Sequence, residues 1–250
     1  MCIRDSRSPD ADAVGTSLAL ARYLRSTGKE VTCLLPDAPD EALDWMEGVE
    51  DILIFDRDPG KAQETLHRAD VLFALDYNGL KRLGPMKDAA ESATGTWLMV
   101  DHHMGPEDFP TAKVHDARCS STAELLWGVI AGLGGKEVVD TTMAGLLYAG
   151  MMTDTGSFRF NSVSAETHRV VAAMMDQGLN HTTVHEAIFG EQPMDRMQLH
   201  AFAVVERMEV YPEFQTAFVH LTREDMERFH YRPGYTEGLS LIHISEPTRP

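Results

Sequence analysis

The chain has 250 residues, of which 43% are hydrophobic and 24% charged, a composition that excludes a disordered, collagen-like or mucin-like chain. Its 22 Lys+Arg against 39 Asp+Glu give a net charge of −17, which argues against a protein that coats nucleic acid through a basic face, although metal ions between carboxylates and phosphates would still allow phosphate chemistry. Three scattered cysteines exclude a disulfide scaffold or a Cys-rich zinc module, and no apolar run approaches the ~18 residues of a membrane helix. The first twenty residues contain Asp5, Asp10 and Asp12 and no apolar h-region, so the sequence predicts a cytoplasmic protein with no membrane partner.

In chain order, apolar spacing predicts a helix over 13–27, stopped by Gly28, then a short strand over 31–35 ended by Pro36. A second strand is predicted over 51–55, a helix over 61–67, and a third strand over 71–75 that runs into Asp76. Residues 80–93 read as helical with an interruption at Gly84-Pro85, and 97–100 as a fourth strand that runs into Asp101. Apolar strands alternating with helices are the signature of a parallel β-sheet flanked by helices, an α/β fold. Beyond residue 120 the pattern turns helical, over 122–132, 141–152, 165–177, 182–189 and 193–209. A strand over 214–221 and a helix over 223–229 then read as the start of a second α/β domain. The domain reading is therefore a main domain over 7–190, a linker helix over 191–212 and a partial second domain over 213–239.

Open parallel sheets bind ligands at the carboxyl ends of their strands. Two predicted strands end in aspartate, Asp76 and Asp101, and two histidines, His102 and His103, directly follow the second. Asp10 and Asp12 form a D-x-D just before the first helix, and Asp154 follows an apolar helix. Several carboxylates with imidazole suit two divalent ions that clamp a phosphoryl displacement, and the mixed ligand set favours Mn2+ over Mg2+ or Ca2+. Asp10 or Asp12 can equally cap the helix that follows, and Asp154 can be an ordinary loop residue. His115 and the other scattered histidines show no ligand-like partner in the sequence.

Asp101-His102-His103, preceded by Pro9-Asp10-Ala11-Asp12 and Asp76 and followed by Thr153-Asp154, resembles the ordered four-block pattern of the DHH phosphoesterase superfamily. Cys119-Ser120-Ser121-Thr122-Ala123-Glu124 and Thr153–Phe160 are similar to the branch of bacterial oligoribonuclease and 3′-phosphoadenosine-5′-phosphate phosphatase enzymes. The resemblance implies an Mn2+-dependent exoribonuclease and nucleotide phosphatase acting on short RNA oligonucleotides and nucleoside 3′,5′-bisphosphates by a two-metal mechanism. Its implied ligands are Asp10 and Asp76 for a first ion and Asp12, Asp76, His102 and Asp154 for a second, with Asp76 bridging. It also implies His103 as a phosphate contact, Asp101 as the group that orients a histidine, and Ser120, Ser121 and Arg159 as phosphate or nucleotide contacts. For Arg159 an ordinary surface role fits nearly as well.

The alternatives are a manganese-dependent inorganic pyrophosphatase, whose branch shares the four blocks, and a degenerate nucleotide-binding module. Two departures from the pattern bear on activity. Ser6 stands where the pattern has a metal-ligating histidine, and a glycine-rich substrate-gripping segment expected in a DHHA1-type second domain is missing. Residues 1–6 make a poor central strand, and 1–6 and 240–250 both read as non-native ends, so the sequence predicts a truncated chain that is feebly active or inactive. It fixes no oligomeric state and is compatible with a homodimer.

Overall fold

The computed structural model describes residues 2–4, 9–134, 136–190, 193–214, 216–232, 235, 236 and 239. Ser6, Arg7, Glu237, Gly238 and the segment 240–250, on which several of the sequence expectations fall, lie outside the described residues. The chain divides into two compact units, Met1–Ile188 and Phe189–Pro250.

The first unit is built on a six-stranded sheet: β1 (Cys2–Arg4), β2 (Cys33–Leu35), β3 (Leu53–Ile54), β4 (Val71–Leu75), β5 (Thr96–Asp101) and β6 (Ala112–His115). The order is β3-β2-β1-β4-β5-β6 and every pairing is parallel. Strand order therefore runs outward in one direction from β1 and in the other from β4, which puts a topological switch point between these two strands.

Side-chain alternation divides the core into two layers. Cys33, Leu35, Leu75 and Val100 face a core shared with α1 (Ala11–Ser26), α4 (Thr122–Gly134), α5 (Thr141–Asp154) and α6 (Ala165–Asp176). Leu34, Leu72, Ala74, Trp97 and Met99 face the opposite core, which contains α2 (Pro59–Arg68), a 3-10 segment over Leu80–Met86 and α3 (Lys87–Glu91). Burial on both faces explains why the strands read as continuous apolar runs rather than as alternating ones. The unit ends with α7 (His181–His185).

The second unit contains α8 (Met194–Glu206), an antiparallel pair of β7 (Met208–Tyr211) and β8 (Thr216–Val219), and α9 (Arg223–Arg228). Leu199, Phe229 and Tyr235 form its core.

Three of the departures from the sequence expectations bear on how the strands pair. The helix expected to run to residue 209 stops at Glu206, and Met208–Tyr211 pairs with β8 instead. The strand β6 was not anticipated: Ala112–His115 is largely exposed and carries little apolar signal, and its hydrogen bonds to β5 define it. Cys2–Arg4, expected to be a poor central strand, is hydrogen-bonded between β2 and β4. Two flanking strands supply a ladder of backbone donors and acceptors, which a short segment satisfies whatever its side chains.

Candidate active site

The crossing of α1 and α5 brings the two ends of the chain's acidic pattern together. An added Cβ on Gly15 would lie 2.4 Å from the Leu146 carbonyl oxygen, and one on Gly150 would lie 2.5 Å from Asp12 Oδ1. Early α1 thus meets late α5, so the helices are antiparallel and nearly touch backbone to backbone. Asp12 in the first turn of α1 consequently faces Asp154 in the last turn of α5.

Asp10 is the N-cap of α1; its Oδ1 accepts from the backbone N–H groups of Asp12 (3.0 Å) and Ala13 (3.3 Å). The capping role weighed from sequence is thus real for Asp10. Asp12 is fully buried, and its two oxygens accept from the N–H groups of Thr122 (2.8 Å) and Ala123 (2.9 Å) at the start of α4. A carboxylate at a helix N-terminus gains from both the orphan N–H groups and the helix dipole.

Asp76 follows β4 directly, at the switch point, with φ 64°. Aspartate tolerates this left-handed conformation better than most residues. Its Oδ1 accepts from the Thr122 hydroxyl (2.8 Å) and lies 3.7 Å from His102 Nε2 and 3.8 Å from His103 Nδ1. His102 Nε2 is 3.2 Å from Asp154 Oδ2, and its Nδ1 faces the Cys119 carbonyl at 3.4 Å. His103 Nδ1 is 2.8 Å from Oδ1 of the buried Asp101.

Among the described residues, two groups offer three ligand atoms within 4.8 Å of one another: Asp76, His102 and His103, and Asp12, His102 and Asp154. They share His102. Asp10 belongs to neither group, and His103 stands among the potential ligands as well as beside Asp101.

The electrostatics are those of crowded acids. Burial, then the charges of Asp76, Asp154 and Asp10, hold the Asp12 carboxyl well above the usual carboxylate range. Burial also raises Asp154, against the opposing pull of His102. Burial alone would lower His102, but its hydrogen bond to Asp154 and the charge of Asp76 prevail and push it up to about 9. The hydrogen bond to Asp101 raises His103. Carboxylates that repel one another in a buried space, with imidazoles among them, form a donor set that fits divalent cations, because a cation removes the repulsion that holds protons on the acids.

The remaining predicted residues sit differently. The Ser120 hydroxyl donates to Glu124 Oε2 at 2.6 Å, and Ser121 Oγ accepts from the Glu124 N–H at 3.1 Å. Both serines are buried, and Glu124 also accepts from the Thr167 hydroxyl of α6. Arg159 is exposed, and its Nε donates to the Gly156 carbonyl at 2.6 Å in the turn after α5.

Sequence reading missed three contributors. Thr122 contacts both Asp12 and Asp76; Gly150 permits the approach of α5; and His115 Nε2 is 2.7 Å from the His103 carbonyl. Only the first left a sequence signal, its place in the Ser120-Ser121-Thr122 run.

Residues 1–151 match the profile described as DHH family, N-terminal domain. The chain belongs to the DHH family. Within it, the chain is 30% identical over 171 residues to the bifunctional oligoribonuclease and PAP phosphatase NrnA of Thermus thermophilus, covering 68% of this chain and 48% of the relative. It is 24% identical over 225 residues to the bifunctional oligoribonuclease and PAP phosphatase NrnA of Bacillus subtilis, covering 88% of this chain and 66% of that one. An exopolyphosphatase-related protein from Bacteroides fragilis has a crystal structure that superposes with a TM-score of 0.92 at 34% identity, over 96% of this chain and 70% of its own. The chain thus spans about half the length of several of the curated relatives it matches. The DHH-family fold accounts for the parallel sheet, and no helix among the described residues is long and apolar enough to cross a membrane.

Proposed function

We propose that this DHH-family chain is a metal-dependent phosphoesterase acting on short oligoribonucleotides and on 3′-phosphoadenosine 5′-phosphate in the cytoplasm. The observation that carries the reading is the convergence of Asp12, Asp76, Asp154, His102 and His103 at the carboxyl side of one parallel sheet, beside its switch point. The names of the Thermus and Bacillus relatives support the substrate class.

In this reading Asp10, Asp12, Asp76, His102 and Asp154 would hold two divalent ions, with Asp76 serving both, and the mixed oxygen and imidazole set would favour Mn2+. When bound, such ions supply Lewis acidity to the phosphoryl oxygens and acidify water. The chain's own residues do the rest. Asp101 Oδ1, 2.8 Å from His103 Nδ1, would fix the orientation of that ring toward a substrate phosphate, and this hydrogen bond raises the His103 pKa. Buried neighbours keep Asp12 and Asp76 dry, which strengthens their hold on a cation. Ser120, Ser121 and Arg159 remain proposed nucleotide contacts. The second unit is assigned as DHHA1-type, and Ser6, which stands where the resembled pattern has a histidine, offers no imidazole to a metal.

The test measures Mn2+ binding by calorimetry and hydrolysis of a diribonucleotide, 3′-phosphoadenosine 5′-phosphate and pyrophosphate, with the chain as given and with Ser6→His. The expected result is Mn2+ binding that tightens in Ser6→His, with mononucleotide release that needs the metal. Pyrophosphate hydrolysis alone would overturn the substrate assignment, and absence of Mn2+ binding in both proteins would overturn the metal centre.

A further inference from the structure

The contacts of Thr122 reach two carboxylates that arrive from different elements. Asp12 comes from the first turn of α1 and Asp76 from the end of β4. Thr122 is fully buried as the first residue of α4; its backbone N–H donates to Asp12 Oδ2 and its hydroxyl to Asp76 Oδ1, each at 2.8 Å. A hydroxyl carries a single proton, and the one Thr122 gives to Asp76 Oδ1 fixes the direction of that carboxylate.

The donor is itself held in place. Ser121 Oγ accepts from the Glu124 N–H, Ser120 donates to Glu124 through both its N–H (3.1 Å) and its hydroxyl (2.6 Å), and Thr167 donates to the same carboxylate from α6. Glu124 therefore locks the turn that presents Thr122. The Asp76 backbone is in the left-handed region directly after β4, which turns the chain at the strand end where the Thr122 hydroxyl meets the carboxylate.

We propose that Thr122 is a positioning residue for the metal centre: its hydroxyl orients Asp76 toward the bound cations, while its N–H keeps Asp12 in register beside it. This rests on the phosphoesterase reading given above. Hydrogen-bond partners just outside a metal's own ligands typically contribute about 10–100-fold in metal affinity.

The experiment compares wild type, Thr122→Val and Thr122→Ser by Mn2+ calorimetry on chelator-treated protein, alongside far-UV circular dichroism and thermal melting. Thr122→Val keeps the backbone N–H and the shape and removes only the hydroxyl; Thr122→Ser keeps the hydroxyl and removes a methyl group. The expected result is an Mn2+ affinity about tenfold or more weaker in Thr122→Val with a wild-type circular dichroism spectrum, and within about twofold of wild type in Thr122→Ser. Where turnover is measurable, kcat falls in Thr122→Val with little change in KM. Equal Mn2+ affinity in wild type and Thr122→Val overturns the proposal while leaving the phosphoesterase reading intact. Loss of affinity in Thr122→Ser also overturns it, because packing of the methyl group would then be the cause. If Thr122→Val does not fold, Thr122→Ser decides alone: wild-type binding supports the hydroxyl, and weakened binding overturns it. A wild-type chain that binds no Mn2+ overturns both readings together.

Discussion

Gly150 packs so closely on Asp12 that a Cβ there would lie 2.5 Å from Asp12 Oδ1 and 2.8 Å from its Cα. The same glycine would meet the Ala123 Cβ at 3.1 Å, so α1, α4 and α5 all converge on one missing side chain. Gly150→Ala is accordingly expected to push α5 away from α1 and to separate Asp154 from Asp12. Overpacking of this kind costs about 1–3 kcal/mol. Thermal denaturation would show the lost stability, and Mn2+ calorimetry a weaker site. Gly128, exposed in α4 with nothing within 4 Å of an added Cβ, is the control: Gly128→Ala should leave Mn2+ binding unchanged and raise stability by about 0.5–1 kcal/mol.

Asp76 and Asp12 are expected to differ in what their removal does. Asp76 joins His102 and His103 in one ligand group and stands against the Thr122 hydroxyl, whereas Asp12 joins His102 and Asp154 in the other. If Asp76 serves both ions, Asp76→Asn should lower the number of Mn2+ ions bound as well as activity, by more than Asp12→Asn does. Metal content after gel filtration, measured by atomic emission, checks the stoichiometry. Equal losses of activity with unchanged metal content in both variants would contradict the bridging role.

Ser120 offers a test between two uses of one hydroxyl. Its 2.6 Å bond to the buried Glu124 gives it a structural partner, and leaving a buried carboxylate short of a hydrogen bond costs about 1–3 kcal/mol. Ser120→Ala should therefore lower the melting temperature at any substrate concentration. A nucleotide contact would instead raise KM and leave the melting temperature alone. Measuring both on the same variant separates the two roles.

Much of this cluster could be read in the sequence because groups that meet at the carboxyl ends of parallel strands are polar residues directly after apolar runs. Asp76 after Val71–Leu75, and Asp101-His102-His103 after Trp97–Val100, stand out for that reason. The residues that arrange those groups could not be read in the same way. Nothing in the local sequence around Gly150 tells that α1 crosses there, and His115 gains its partner only because β6 lies beside β5 with Asp101 opposite it. The strand β7 illustrates the same limit. Met208–Tyr211 continues the spacing of the helix before it, and pairing with β8 overrides that local preference.

In the second unit, the link between Arg207 and Asp225 should make stability depend on acid. Arg207 is the C-cap of α8, and its Nη2 and Nε donate to the two oxygens of Asp225 at 2.7 and 3.0 Å. Asp225 also accepts from the Thr222 N–H at 2.9 Å and so closes the capping box of α9. The Arg207 hydrogen bonds, followed by that of the Thr222 N–H, hold the Asp225 carboxyl well below the usual carboxylate range. A depressed carboxylate contributes stability that is fully present above its unfolded value of about 3.9 and is lost as pH falls through the lower folded value. Wild type should therefore lose this contribution only in strong acid, below about pH 4. Arg207→Met keeps the length and apolar packing of the side chain but removes the partner, so it should lower the melting temperature at pH 7 and flatten the acid dependence. Asp225→Asn should do the same from the other side, and the double variant should lose little more than either single one. Melting curves from pH 7 down to pH 2 on the four proteins check this. Parallel acid profiles in wild type and Arg207→Met would show that the pair is not what holds α9 to the end of α8.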